Sequence, residues 1–559
     1  MLPPVKLVLP FFVALLLIGQ LRADDFDDGW DALDKNDFAN AIRLFTKAIE
    51  QDRTNADAFW ARGVAYQDIG ELDKALADCD EAIKLDPKNF GAYVGRGRVW
   101  DAMGILDKAI ADFNEALRLN PTDVSAHINR GSAWFAKGDL ENALADYDAA
   151  LRLDPKHVSA ITDRGSAWFG KGEFDKALAD YNEAIRLDPQ NAAIYVGRGS
   201  AWNAKGEFDK ALADYDVAIR LDMNYGLAHH GRGTALQFKG ELDQALNAYE
   251  MAIRLDPRDV LAYINRGNLW YHKDQLDKAL ADYESAISLD AKNSNAYLGR
   301  ANVSYIRGEV DKALTDYDEA IRLNRKNVSA LSNRGDLWYQ KDELDKALAD
   351  YDEAIKLNSQ NKVMYVVYGM IWEARANFDK AIAAYDVAIR LDPNYSVAYA
   401  ARGVAWYSKG DLDKAIVDYG VVIRIDPKNF GAYLNRGTAW DDKGDFGKAL
   451  ADYDEAISLD PNSSPARNFR AWLRATCRDE KYRDGAKAIE DATKACELSE
   501  WECALFLDSL AAAYAEAGQF DKAIEWQEKA VELEPFGDYP TRLKLYQEGN
   551  PYREKLGKK

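Results

Sequence analysis

The sequence predicts an all-α solenoid, a stack of helix–turn–helix repeats in one elongated body. Three observations carry this. Prolines recur at 34-residue intervals along most of the chain. Small and aromatic residues stand at fixed offsets inside each interval. The composition favours helix over strand, with only 15 Pro in 559 residues, 30% charged and 48% hydrophobic.

The chain opens differently from everything that follows. Lys6 precedes an apolar run from Leu7 to Ile18, broken by Pro10, and Leu21-Arg22-Ala23 leads into Asp24, Asp25, Asp27 and Asp28. That order reads as a secretory signal peptide over 1–23, which places the protein in the periplasm or outside the cell. The run is shorter than the roughly 20 residues of a membrane-spanning helix. An uncleaved N-terminal anchor is the alternative. No stable membrane insertion is expected after cleavage.

The repeat comes next. Pro87, Pro121, Pro155, Pro189, Pro257, Pro393, Pro427 and Pro461 are spaced by 34 residues or a multiple of 34. One unit runs from Val158 to Asn191, with Val158 as position 1. Gly165 at position 8, with Ala177 and Ala184 at positions 20 and 27, lets two helices approach closely. Trp168 and Tyr181, at positions 11 and 24, fill the space around them. Gly172 can take the left-handed conformation that ends the first helix. Asp188-Pro189 ends the second, because the residue before proline disfavours the helical region. Asn191 can cap the next helix, as can Asn89, Asp123, Asp259, Asn293, Asn327, Asn361 and Asn429. The expected layout is thirteen in-phase units over 24–463, the first degenerate. An irregular unit at 464–503, a regular one at 504–537 and a capping segment at 538–559 follow.

This pattern resembles the tetratricopeptide repeat family. The resemblance covers nearly the whole chain after the leader. It implies a right-handed superhelix whose first helices line the concave side. The segment Ala471 to Leu533 also resembles the closing module of exported bacterial multi-repeat proteins of this kind.

Repeats within one chain can be compared with each other. Arg stands at position 7 in eleven units, from Arg62 to Arg436, and Asp stands at position 23 in ten, from Asp78 to Asp452. The unit with Tyr368 in place of Arg also has Ala384 in place of Asp. A pairing between the two helices of each hairpin is inferred. The unit with Arg232 and Ala248 breaks the rule.

Positions 2, 5, 6, 9, 12 and 13 form one stripe of each first helix. Position 6 carries Asn129, Asn265, Asn333 and Asn435, which resembles the asparagine ladder of some peptide-binding repeat proteins. A side-chain amide both donates and accepts, so it suits a peptide backbone. Position 12 adds Phe135, Phe169, Tyr271, Tyr305, Tyr339 and Tyr407. These aromatics either meet a partner or pack on the adjacent unit. The densest polar and aromatic stretch, Val260 to Asn361, offers Asn265, Asn268, Tyr271, Asn302, Tyr305, Asn333, Asp336 and Tyr339 as candidate peptide-binding residues.

Charge narrows the partner. The net charge is −21, with 93 acidic and 72 basic residues, which disfavours nucleic acid. Between Ala56 and Ser463, positions 2, 5 and 6 hold no Lys or Arg, so the clamp that some family members use for acidic tails is missing. Proteins or peptides with neutral or basic segments are expected instead. Enzymatic signals are poor. The chain has five histidines, none with metal-ligand spacing, and no phosphate loop or nucleophile elbow. No cofactor and no metal are expected. Cys496 and Cys503 could bond in an oxidising compartment. The expected function is a non-enzymatic interaction scaffold. A structural spacer of an envelope assembly, or a glycan-binding solenoid with sugars stacked on position 12, are the alternatives.

Overall fold

The structure is a computed structural model that describes residues 25–554, and the expected leader at 1–23 lies outside the described residues. The described residues are helices and short connections, with no strand among them. They fall into two compact units, one ending at Leu289 and the other beginning at Asp290.

The hairpin Val158–Gly170 plus Phe174–Leu187 shows why the repeat folds as it does. Cap residues hold the helix starts. The Asn89 side chain accepts from the Ala92 N–H at 3.0 Å, and Asp259 does the same for Ala262 at 2.9 Å. Such a cap is worth about 1 kcal/mol. Gly172 ends the first helix with φ of +79°. Where glycine is missing at that place, Asp274, Asp342 and Ala376 take φ of 57°, 60° and 56°, at about 1 kcal/mol or more each. At position 8, close packing favours glycine, and Ala301 is an exception that fits a methyl group. A Cβ on Gly403 would lie 2.7 Å from the Tyr419 ring.

Stacking uses the second helices. Leu178, Tyr181 and Ala184 pack with Ile161 of their own hairpin and with Ile194 and Ala201 of the next. Within each unit, first helices also touch the first helices of the neighbouring hairpin, as Ala56–Asp68 touches Phe90–Ala102 and Lys362–Ala374 touches Ser396–Ser408. The first helices therefore line the shorter, inner side of each stack.

The Arg–Asp pairing is present, and it reaches further than one hairpin. Arg164 donates to Asp180 through Nε and Nη2 at 2.8 and 2.6 Å, and through Nη1 to Asp148 of the preceding hairpin at 2.7 Å. The second link explains the exceptions. Arg232 has no Asp at position 23 of its hairpin and donates to Asp216 at 2.9 Å. Tyr368, in the hairpin that lost both partners, donates to Asp352 at 2.6 Å. Position 25 of the preceding repeat thus keeps its contact when position 23 is lost.

The C-terminal hairpins keep the logic with altered spacing. Arg470 donates to Asp491, 21 residues on, at 2.8 and 2.5 Å, because the turn Glu480–Tyr482 is inserted between the helices. The last helix, Tyr539–Gln547, buries Tyr546 and sets Arg542 Nε 2.7 Å from Asp508. All four cysteines are free thiols, so Cys496 and Cys503 are not bonded. Cys496 is buried among Ala492, Leu507 and Leu510, while Cys503 precedes the next helix.

Candidate functional site

The first-helix face begins with the buried tyrosine at position 24. Its ring fills the hairpin core, and its hydroxyl needs a partner there. That partner stands at position 9. Tyr181 meets Ser166 at 3.1 Å, and Tyr249 donates to Thr234 at 3.2 Å. Tyr283 donates to Asn268 at 2.7 Å and Tyr317 to Asn302 at 2.8 Å, while Tyr351 donates to Asp336. Asn268, Asn302 and Asp336 therefore serve the core as well as facing outward.

In the first unit, Asn265, Asn268 and Tyr271 stand on one helix, Val260–His272. Asn265 donates to His230 Nε2 at 3.4 Å, and His230 Nδ1 lies 2.7 Å from Asp259. This arrangement fits a neutral imidazole that donates through Nδ1 and accepts through Nε2. Tyr271 is half-buried, with its ring 5.8 Å from that of His272. In the second unit, Asn333 donates to Asn302 at 2.9 Å, which joins two candidate residues directly. Tyr305 accepts from Gln340 and is 37% exposed, so its ring stays open while its hydroxyl is held. Tyr339 is half-buried against the core around Leu348 and Tyr351. Asp336 has its carboxyl pushed up from the ordinary value by burial.

Two of the position-12 tyrosines are tied to neighbours through their hydroxyls. Besides Tyr305 with Gln340, Tyr407 donates to Asp442 of the next hairpin.

A different place on the same face is open. A cavity of about 560 Å³ is lined by Phe169, Asn203, Phe208, His230, Gly231 and Phe238, over the hairpins between Val158 and Leu255. Its floor is the buried Tyr215 ring beneath Ser200 and Gly231. Of these residues, sequence reasoning singled out Phe169 for the face and missed the rest. The signal was a coincidence of small residues, Ser200, Ala204 and Gly231, at neighbouring stripe positions. Among the described residues, no group of three or more His, Cys, Asp or Glu could hold a metal ion.

Family models described as tetratricopeptide repeats match residues 26–90, 95–158, 162–225, 230–296, 328–361, 431–463 and 506–536, and a further one described as TPR repeat matches 301–342 and 405–439. No curated protein matches the chain. Among solved structures, the chain is similar to a tetratricopeptide repeat protein from Parabacteroides merdae, at 23% identity over 42% of this chain and 93% of that one, with a TM-score of 0.37. It is similar to the Cut9–Hcn1 hetero-tetramer of APC/C at 14% identity, 78% and 93% coverage and a TM-score of 0.45. It is also similar to YrrB, described as a TPR protein with an unusual peptide-binding site, at 27% identity, 34% and 97% coverage and a TM-score of 0.29.

Proposed function

We propose, from the premise that this chain belongs to the tetratricopeptide repeat family, that it is a non-enzymatic scaffold holding extended segments of other proteins on its first-helix faces. One observation carries the reading. The first-helix face keeps an open cavity of about 560 Å³ walled by phenylalanine rings. Several such hairpins on one chain would add avidity to weak individual contacts.

The net charge of −21 supports a neutral or basic partner segment. Asn265, Asn268 and Tyr271 in one unit, and Asn302, Tyr305, Asn333, Asp336 and Tyr339 in the other, remain candidates for contact. No helix of the described residues is long and apolar enough to cross a membrane. The leader-like start supports export to the periplasm or beyond, and N-terminal sequencing of the protein from the source cell would test it.

The scaffold reading is tested by a cross-linked pull-down from the cell envelope and culture fluid with residues 24–559. A variant carrying Asn265→Ala, Tyr271→Ala, Asn333→Ala and Tyr339→Ala runs in parallel, after circular dichroism shows both folded. Discrete proteins recovered by the parent support a scaffold, and their loss in the variant assigns the contact to those residues. Recovery of no protein at all rejects it.

A further inference from the structure

We infer that the three hairpins between Val158 and Leu255 form a docking site for an extended peptide segment that carries a large apolar side chain and, a short step along, a lysine or arginine. The inference rests on the scaffold reading and states where partner chemistry is read on this chain.

The cavity has the shape for an apolar anchor. Ser200, Ala204 and Gly231 bring nothing larger than a hydroxymethyl group to its floor. A Cβ at Gly231 would run into the Tyr215 ring, so the floor cannot be raised without moving the core. Phe208 and Phe238 form one wall, stacked at 5.7 Å and 6°. Phe238 is 66% exposed, so an aromatic ring is left in water at the rim of an apolar hollow. Covering such a ring with a partner's side chain is favourable in proportion to the apolar area removed from water.

Asn203 supplies the polar anchor. Its Oδ1 is shut off from solvent and has no donor. In two other hairpins the residue at this repeat position accepts from the buried tyrosine, as Gln237 does from Tyr249 at 2.8 Å and Glu373 from Tyr385 at 2.9 Å. Here Tyr215 is 3.2 Å from the Ser200 hydroxyl instead, and Asn203 is left over. An orphan acceptor inside a lined cavity destabilises the free protein. The Asn203 side chain is half-buried and lines the cavity, so a turn of its amide would bring the oxygen to a backbone N–H of a bound segment.

Asp163 supplies the charge. It stands on the same helix as Phe169, six residues earlier, which is about 9 Å along the axis. No ion pair or hydrogen bond of the described residues holds its carboxylate. The groups facing it are His157 before its own helix and the hydroxyls of Tyr147 and Tyr181. An extended chain spans about 9 Å in three residues, so the basic residue should stand about three from the apolar anchor.

Short random peptides displayed on phage and selected on residues 24–559 test this. Enrichment of an aromatic or leucine about three residues from a lysine or arginine is expected. Synthetic versions should bind about tenfold or more weakly to Ala204→Trp, which fills the cavity, and to Asn203→Leu, which removes the acceptor. Asp163→Asn should weaken the basic peptides and leave their Lys→Gln versions unchanged. Peptides that bind all three variants as tightly as the parent would place binding elsewhere and overturn this site, while the scaffold reading stands. Selection of no peptide, together with an empty pull-down, overturns both. Asn203→Leu keeps the test decisive if Ala204→Trp fails to fold, because it keeps the number and branching of side-chain heavy atoms.

Discussion

The polar band of Val260–Asn361 and the stretch around Phe169–Phe238 show opposite uses of the same repeat positions. In the band, polar side chains are committed inward or sideways. Asn268 takes a hydrogen bond from Tyr283, and Asn302 takes them from Tyr317 and Asn333. Around Phe169–Phe238 the committed group is a small serine at position 9, and the amide at position 12 has nothing to bond. The difference teaches that polarity on a face does not itself make a ligand site. A group with its bonds made stabilises the fold, whereas one with a bond missing at the wall of a cavity can turn to a partner.

The comparison can be broken most strongly at the most committed group. Asp282 is 4% exposed and accepts from Arg266 at 2.9 and 2.7 Å. Asp282→Ala would strand the guanidinium. The expected loss is at most about 3 kcal/mol, because Arg266 is partly in water. Stacked repeats open locally, so amide exchange of the helices Val260–His272 and Leu276–Leu289 should rise well before that of distant hairpins. Uniform exchange along the chain would contradict a local role. A smaller loss, about 1–3 kcal/mol, is expected for Asn268→Leu, which leaves the buried Tyr283 hydroxyl without its acceptor. Denaturant unfolding reads it, and a neutral result would mean that Asn268 is as free as Asn203.

Asn203→Leu should have the opposite character. It removes an orphan oxygen and keeps the branching and number of heavy atoms, so stability should hold or rise by about 1 kcal/mol. A clear fall in thermal midpoint would show that Asn203 is another committed side chain. Stability held with peptide binding lost is the pattern of a residue kept for function.

Much of this was legible in the sequence. The interval of 34 residues, the caps and the Arg–Asp pairing follow from residue types that each have one main physical use. Two contacts were not read, although the letters carry them. The link from position 7 to position 25 of the preceding hairpin is written in Asp148 and Asp216, which accept from arginines, and in Asp352, which accepts from Tyr368. The partner of each buried tyrosine is written in Ser166, Thr234, Asn268 and Asn302. Both join positions 15 or 16 residues apart on different helices, beyond the reach of a single-helix periodicity. The cavity was harder still. It arises where Ser200, Ala204 and Gly231 leave space, and missing volume has no letter of its own.

The smallest expected effect is also the one that separates the fold from its ligand. Burial pushes the Asp163 carboxyl up to about 6, above the value near 3.9 of an unfolded chain. Between those values the folded protein holds the proton and the unfolded chain releases it. Asp163 therefore contributes stability that is complete below about pH 4 and lost as pH rises through 6. The group is part exposed, so the loss should fall short of the roughly 3 kcal/mol that two pKa units would give, and it is seen as a fall in thermal midpoint that Asp163→Asn abolishes. Binding of a basic peptide has the reverse sign. The bound cation favours the carboxylate, so binding tightens as pH rises from about 5 to 7. Asp163→Asn keeps the slope that all other groups contribute. The difference between parent and variant slopes isolates Asp163. Stability and affinity that move together with pH would show that Asp163 serves the fold alone. Movement in opposite directions is what a carboxylate held for a partner's lysine or arginine requires.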